Sequence, residues 1–431
     1  MVLSGRLALV AVLAAVAVAT VAPSAIGVLL ATWLILVLGL IDTALAGAVR
    51  QLSFDRSGDT TVRLGETATV TLTMHNHGRR RVRGLLRDAW PPSAGVATDR
   101  FRVDAPAGGW HAFDVRLHPT RRGDRTADRV TVRSMGPLGL AGRQASHAAA
   151  WTVRVLPPFH ARRHLPARLA RLRELDGRSA VLTRGAGTEF DSLREYVVGD
   201  DTRSIDWRAT ARRGDVVVRT WRPERDRHVL VVLDTGRTSA ARVGDAPRLD
   251  AAMDAALLLG TVAARAGDRV ELLAYDRRVR AAVERPAATE ILPRMVNALA
   301  TVEPELLETD HRGLAAEIRA RAGRHALVVL ITGIDSGTVE QGLLPLVNGL
   351  TQRHTVLVAS VADPRLAEMA AARENASAVY RAAAAEHDRQ GRDQVADLLR
   401  QRGAHVVDAA PGELPPALAD AYLDLKAAGQ L

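Results

Sequence analysis

Cysteine is absent from the 431 residues, which excludes disulfides, thiolate metal sites and cysteine-nucleophile mechanisms while leaving the compartment open. Aromatic residues make up only 3% of the chain, so Leu, Val and Ala must fill its cores. Lysine is almost missing: Lys426 is the only one, and arginine carries the rest of a formal net charge of +10. An excess of that size raises the question of nucleic acid. The arginines, however, are dispersed among Asp and Glu and have no stacking aromatics beside them. No nucleic-acid partner is expected.

The most telling absence is local. From Leu7 to Ile41 no residue is charged. As a helix this run would extend roughly 50 Å, well beyond the ~30 Å of a hydrocarbon core. Pro23-Ser24 divides it into a short span, Leu7 to Ala22, and a longer one, Ala25 to Ala48. The pattern predicts a transmembrane helical hairpin over 1–50. Arg6 precedes it, and Arg50, Arg56 and Arg63 follow it, so the positive-inside rule sets both ends and the downstream chain in the cytoplasm. The expected localisation is therefore the cell membrane, multi-pass, with membrane lipid as a partner of the two helices. Asp42 falls late in the second span, near the interface, where a carboxylate needs no functional role. A cleaved signal peptide is the rival, but Pro23 directly after Ala22 makes a poor cleavage site.

The chain as a whole is 47% hydrophobic and 25% charged, the composition of folded domains. Ala68, Val70, Leu72 and Met74 alternate with Thr67, Thr69, Thr71 and Thr73, the period of a half-buried strand. Short strands recur near Ala112–Leu117, Val130–Arg133 and Thr152–Val155, between Gly and Pro clusters, predicting a small β-sandwich over 51–157. His75 and His77 fit a solvated strand end better than a metal site. His160 and His164 stand four residues apart in an Arg- and Leu-rich stretch expected to be helical. The Ala-Arg-Arg between them discourages zinc.

The densest signal is Arg184 to Arg213, RGAGTEFDSLREYVVGDDTRSIDWRATARR, inside a connector spanning 158–227. Its carboxylates and guanidiniums alternate closely enough to form an ion-pair network. Phe190, Tyr196 and Trp207 add scarce aromatic area. Paired carboxylates invite an acid/base reading. No histidine stands nearby in the sequence, and Gly185 to Gly187 lack the Lys-Ser/Thr of a phosphate loop, so no catalytic residue is assigned. The candidate partner-binding residues are Glu189, Phe190, Arg194, Tyr196, Asp200, Asp201, Asp206, Trp207 and Arg208.

The last part, 228–431, alternates continuous apolar strands (His228–Leu233, Val270–Tyr275, Ala326–Ile331, Thr355–Val361) with helical segments. That is the signature of a parallel sheet covered on both faces. Ligands of such sheets bind beyond the carboxyl ends of the strands, where Asp234 stands. Pro364 to Gln401 reads as one long helical stretch and His405–Asp408 as a final strand.

The run GTEFDSLREYVVGDDTRSIDWRATAR at Gly187 to Arg212 resembles the hallmark of the bacterial family catalogued as domain of unknown function 58. RRG at Arg121–Gly123, GPLGLAGR at Gly136–Arg143 and ALADAYLDLK at Ala417–Lys426 extend the likeness. The resemblance implies a doubly wound, von Willebrand factor type A-like α/β domain and partnership with MoxR-type AAA+ ATPases. Type A domains that hold a divalent cation use Asp-x-Ser-x-Ser, a Thr from a second loop and an Asp from a third. Here Asp234 and Thr238 match, Thr309 or its neighbour Asp310 can supply the second loop, Gly236 removes a hydroxyl, and Gly333 stands where the Asp belongs. Arg237 adds positive charge, and Asp335 is the one compensating carboxylate in reach. The expectation is a degenerate Mg²⁺ site without a tightly bound cofactor, on a non-enzymatic membrane scaffold. The alternatives are an exported adhesive protein and a metal-dependent hydrolase using Asp234, although no histidine is expected near that residue.

Overall fold

The computed structural model describes residues 1–21, 23–182, 189–198, 200–222, 227–335 and 339–431, the side chains of 176–182, 189–192, 220–222, 340 and 341 excepted. It is a mixed α/β structure with an apolar N-terminal helix and several sheets, and it divides into two compact units, Met1–Leu156 and Pro157–Leu431.

The first unit opens with helices α1 (Gly5–Val21) and α2 (Ala25–Leu45), which contact each other. Ser24 caps α2 by accepting the Gly27 N–H at 3.1 Å. The stretch Ala25–Gln51 is long and apolar enough to cross a membrane, with a mean hydropathy of 2.4. Leu29, Trp33 and Leu36 are each more than three-fifths exposed on α2. An apolar surface of that extent is unstable against water.

Two sheets come next. A six-stranded one runs Val2–Leu3, Ala141–Leu156, Gly123–Met135, Val82–Asp88, Arg100–Ala105, with Thr61–Arg63 also paired to Ala141–Leu156. A three-stranded one is Leu52–Gly58, Ala68–Asn76, Trp110–Leu117. The two share a core: Leu72, Met74 and Phe113 of the smaller sheet pack with Val82, Leu86, Val130 and Val132 of the larger. The alternation at 68, 70, 72 and 74 turns all four side chains fully inward. Several strands are longer than their apolar runs suggest, because polar and small residues occupy their outer positions. One ion pair is buried: Arg56 and Asp88 meet at 2.5 Å, and the Trp90 indole N–H donates to the same carboxylate at 2.8 Å. Removing one partner of such a pair costs about 3–5 kcal/mol, because the other charge is left unpaired.

The second unit contains a six-stranded sheet ordered Val279–Val283, Arg269–Tyr275, His228–Asp234, Leu327–Ile331, Thr355–Val361, His405–Ala409. All neighbours are parallel except the edge strand Val279–Val283, which is antiparallel and was hidden in the sequence by its arginine. Leu230 and Val232 face a core built with Leu314, Ile318, Val347 and Leu399. The helix Arg248–Arg265, mostly buried, contacts the same strands without joining that cluster, so it covers the opposite face. Burial on both sides explains why these strands are continuously apolar.

The terminal helix Leu414–Ala427 is locked by the chain's single lysine. Lys426 Nζ lies 2.6 Å from Asp268, and the Tyr422 hydroxyl donates to the same carboxylate at 2.5 Å. Burial of Asp268 pushes its pKa up, with Lys426 and Tyr422 opposing the shift. Pro364 to Gln401 is two helices, Pro364–Ala371 and Ala376–Gln401, not one. Asn375 separates them by capping the second, accepting the Ala378 N–H at 2.9 Å. His160–His164 forms a 3-10 turn, which takes the two imidazoles off the i,i+4 ladder of an α-helix.

Candidate functional site

The strand His228–Asp234 delivers Asp234 to the carboxyl end of the parallel sheet, where it is only 6% exposed. Four donors from three loops converge on it. Oδ1 accepts the Gly236 N–H at 2.8 Å and the Thr309 hydroxyl at 2.5 Å. Oδ2 accepts the Thr238 hydroxyl at 3.1 Å and the Thr332 hydroxyl at 2.6 Å. A carboxylate with two bonds to each oxygen is well satisfied, so its burial is tolerated.

The structure brings Asp234, Thr238 and Thr309 together. It adds Thr332, which the motif does not single out because the acid it calls for belongs one residue later, at Gly333. The choice between Thr309 and Asp310 is decided too: Asp310 caps the helix His311–Ala322, accepting the Arg312 N–H at 3.1 Å. Arg237 lines the cleft with Asp234, and Glu308 balances its charge at 2.5 Å from Nε. One other expectation is corrected. Asp335 does not compensate for Gly333, because Arg248 and Arg392 hold it at 2.9 and 2.8 Å.

The departures at Gly236 and Gly333 have steric causes. A Cβ on Gly236 would collide with Thr309 Oγ1 and lie 2.9 Å from Leu307 O. A Cβ on Gly333 would stand 2.8 Å from Arg248 Nη1 and 3.0 Å from Thr238 Cβ. The second and third loops thus press against the first, and the space a longer side chain would need is filled by Thr309 and Arg248.

His311 lines the same cleft as Asp234, with Thr309, Thr332 and Leu343. It is far from Asp234 in sequence, so the expectation that no histidine approaches that carboxylate is corrected by the fold. The cavities beside the carboxylate measure about 10 Å³ each. That is room for a water or a small ion, not for a substrate. Among the described residues, no three His, Cys, Asp or Glu side chains are grouped to hold a metal. One carboxylate and three hydroxyls offer hard oxygens, but a single negative charge fits a weak cation site that keeps its waters.

The connector is more ordered than a loop. Glu189–Glu195 pairs antiparallel with Val217–Arg222, and the short helix Trp207–Arg213 lies between them in sequence. Three of its acids are committed internally. Asp200 takes both ends of the Arg194 guanidinium, at 2.7 and 2.5 Å, and the Val197 N–H at 2.9 Å. Asp201 accepts the Arg203 N–H at 2.9 Å. Asp206 caps the short helix through the Arg208 and Ala209 N–H groups, both at 3.0 Å, and pairs with Arg219 at 2.8 Å. The Ala209 N–H, then the Arg219 guanidinium, hold its pKa below the usual carboxylate range. Gly214 ends the helix at φ +83°, a left-handed conformation glycine adopts without penalty.

The exposed side chains of the connector include large apolar and basic ones. Val198 is 96% exposed and Trp207 68%, while Arg208 is exposed and Tyr196 half-buried. Trp207 is therefore not a core aromatic. Glu189 and Phe190 begin the strand, but their side chains lie outside the described residues, as do Arg184 and the glycines at 185 and 187.

Residues 192–395 match the family described as protein of unknown function DUF58, which supports the family drawn from the sequence motif. No curated protein matches. Among solved structures, a conserved hypothetical protein BatB from Bacteroides thetaiotaomicron is similar at 14% identity, over 47% of this chain and 99% of its own, with a TM-score of 0.31. A CARDB domain from Pyrococcus furiosus, crystallised with di-metal ions, is similar at 16% identity over 24% of this chain and 91% of its own, TM-score 0.19. A GH20 exo-β-N-acetylglucosaminidase from Vibrio harveyi is similar at 10% identity over 83% of this chain and 75% of its own, TM-score 0.22. Scores this low carry no argument for function.

Proposed function

We propose that the protein is a membrane-anchored adaptor. In this reading α1 and α2 form a transmembrane hairpin with the rest of the chain cytoplasmic. The second unit carries a von Willebrand type A-like domain, and its connector binds a cytoplasmic partner, a MoxR-type AAA+ ATPase. One observation carries the proposal: the connector uses Asp200, Asp201 and Asp206 to fix its own fold and leaves Trp207, Val198 and Arg208 turned outward. A capped, ion-paired hairpin that keeps a tryptophan in water has the composition of an interface anchor, where Trp and Arg contribute most. The ATPase itself is inferred from the family resemblance.

The type A-like reading draws support from the sheet order and from Asp234 meeting hydroxyls of two further loops. Topology is tested by reporter fusions after Arg50 and at Leu431; both are expected to report cytoplasm. A periplasmic signal from the second would favour the exported adhesive protein instead. Partner binding is tested by capture of a purified MoxR-type ATPase on the full-length protein in detergent, with and without ATP.

A second reading, a metal-dependent hydrolase using Asp234, is favoured by one observation, His311 in the same cleft. Cavities of about 10 Å³ weigh against it. Mg²⁺-dependent turnover that disappears in both Asp234→Ala and His311→Ala would establish it.

A further inference from the structure

The motif at Gly136–Arg143 lies in the first unit, and the second unit's proposed partner surface does not involve it. Its fold is unusual in depending on a residue of the apolar helix α2. Asp42, near the end of α2 and fully buried, accepts the N–H groups of Leu138, Leu140 and Ala141 at 2.8, 2.7 and 2.9 Å. A Cβ on Gly136 would collide with Asp42, so the turn closes only around glycine. Ser4, just before α1, joins the same turn by donating its hydroxyl to Gly139 O at 2.6 Å. The start of α1, the end of α2 and this turn are therefore one structure.

Three arginines gather there. Arg143 Nε donates to Thr43 O at 3.0 Å, and Arg80 Nη1 donates to Ala44 O, which satisfies two of the carbonyls left open at the end of α2. Arg6, in the first turn of α1, reaches across the turn, with Nη1 2.9 Å from where a Gly139 Cβ would stand. All three are exposed, and among the described residues none has a carboxylate within ion-pair distance. Asp42, at the end of α2, is occupied by backbone N–H groups. A guanidinium has five N–H donors, and one bond to a carbonyl leaves four for Arg80 and for Arg143. Leu3, Leu45 and Leu138, each about half exposed or more, mark the same level as apolar.

We infer that Arg6, Arg80 and Arg143 form a binding site for the phosphate headgroup of an anionic phospholipid. The inference rests on α1 and α2 being embedded in a bilayer, since their ends then lie at headgroup depth. Guanidinium suits phosphate through paired N–H···O bonds, and exposed leucines beside it suit the adjoining acyl region. By neutralising the arginines where α2 stops, the lipid clamps the anchor to the turn that Asp42 organises.

The test uses the full-length chain in nanodiscs of phosphatidylcholine alone or mixed with phosphatidylglycerol. Wild type is expected to melt several degrees higher in the anionic discs. That increment should fall by at least half in Arg6→Gln/Arg80→Gln/Arg143→Gln and stay unchanged in Arg116→Gln, on the far sheet. Because Arg80 and Arg143 also cap α2, the triple variant can lose stability in both lipids; the increment between lipids is the quantity read. Arg6→Gln breaks no hydrogen bond among the described residues and is expected to lower the increment by itself. Equal melting in both discs, or an increment indifferent to these variants, overturns the site. Inorganic phosphate that reproduces the increment in phosphatidylcholine discs also overturns it, in favour of a free-anion site. An alkaline wash of cell membranes separates this from the anchoring reading. Protein released by the wash refutes the anchor, whereas protein retained without lipid-dependent melting refutes the headgroup site alone.

Discussion

Asp234 and Asp206 both stand at the end of an element and both collect several donors, yet they serve different ends. Asp206 is a surface cap whose partners are backbone N–H groups that cannot be redirected without unwinding the helix, and the guanidinium of Arg219 on the following strand. Asp234 is buried, and three of its four donors are hydroxyl rotors on separate loops. Hydroxyls can turn their lone pairs toward an ion while still donating to the acid; backbone caps cannot. The connector is thus built to hold one shape, and the sheet-end site to join three loops through one carboxylate.

Breaking the sheet-end site should do the most damage. Asp234→Ala strips four donors of their acceptor in a buried setting and should cost about 3 kcal/mol, read by denaturant melts. Gly236→Ser restores the hydroxyl that the type A pattern calls for, but it drives a side chain into Thr309. A loss of about 2 kcal/mol is expected, and a gain would mean that the loops yield easily. Asp206→Ala removes one cap at the surface and should lower stability by less than either of these. Trp207→Ala, from an exposed position, should change stability by less than about 0.5 kcal/mol.

The two acids also differ toward acid and metal. The Asp206 pKa is depressed, so its contribution is complete above the unfolded value near 3.9 and is lost as pH falls through the lower folded value. That contribution should persist through mild acid and decline only below about pH 3.9, checked by NMR of the 193–219 amides. At the other site, millimolar Mg²⁺ should barely move the melting temperature. A site saturated a hundredfold would add about 2.7 kcal/mol, and a shift of that size abolished in Asp234→Ala would show a cation site stronger than one carboxylate should make.

Period and composition made much of the fold legible. The Thr-alternating strand at 68–76 and the apolar strands of the second unit stand where the pattern put them. Strands such as Leu52–Gly58 and Val82–Asp88 went unread, because Arg56, Asp88 and Gly84 occupy inward positions where the alternation calls for apolar side chains. The candidate site was half legible. Asp234, Thr238 and Thr309 came from a motif, whereas Thr332 and His311 needed the sheet to bring distant loops together. The role of Asp42 was beyond reach, since its partners lie nearly a hundred residues downstream. Lys426 offered a signal that could have been used: one lysine in an arginine-rich chain marks a position where a compact ammonium is required, and it meets the buried Asp268.

The adaptor role stands or falls on whether the connector meets its partner through Trp207 and Arg208. The direct measurement is quantitative capture of a purified MoxR-type ATPase by full-length wild type and Arg208→Ala, alongside thermal melts of both. Capture by the variant should be at least tenfold weaker, about 1.4 kcal/mol or more, with the melting temperature unchanged. Equal capture by a well-folded Arg208→Ala protein would remove this surface from the interface and leave the adaptor without its anchor.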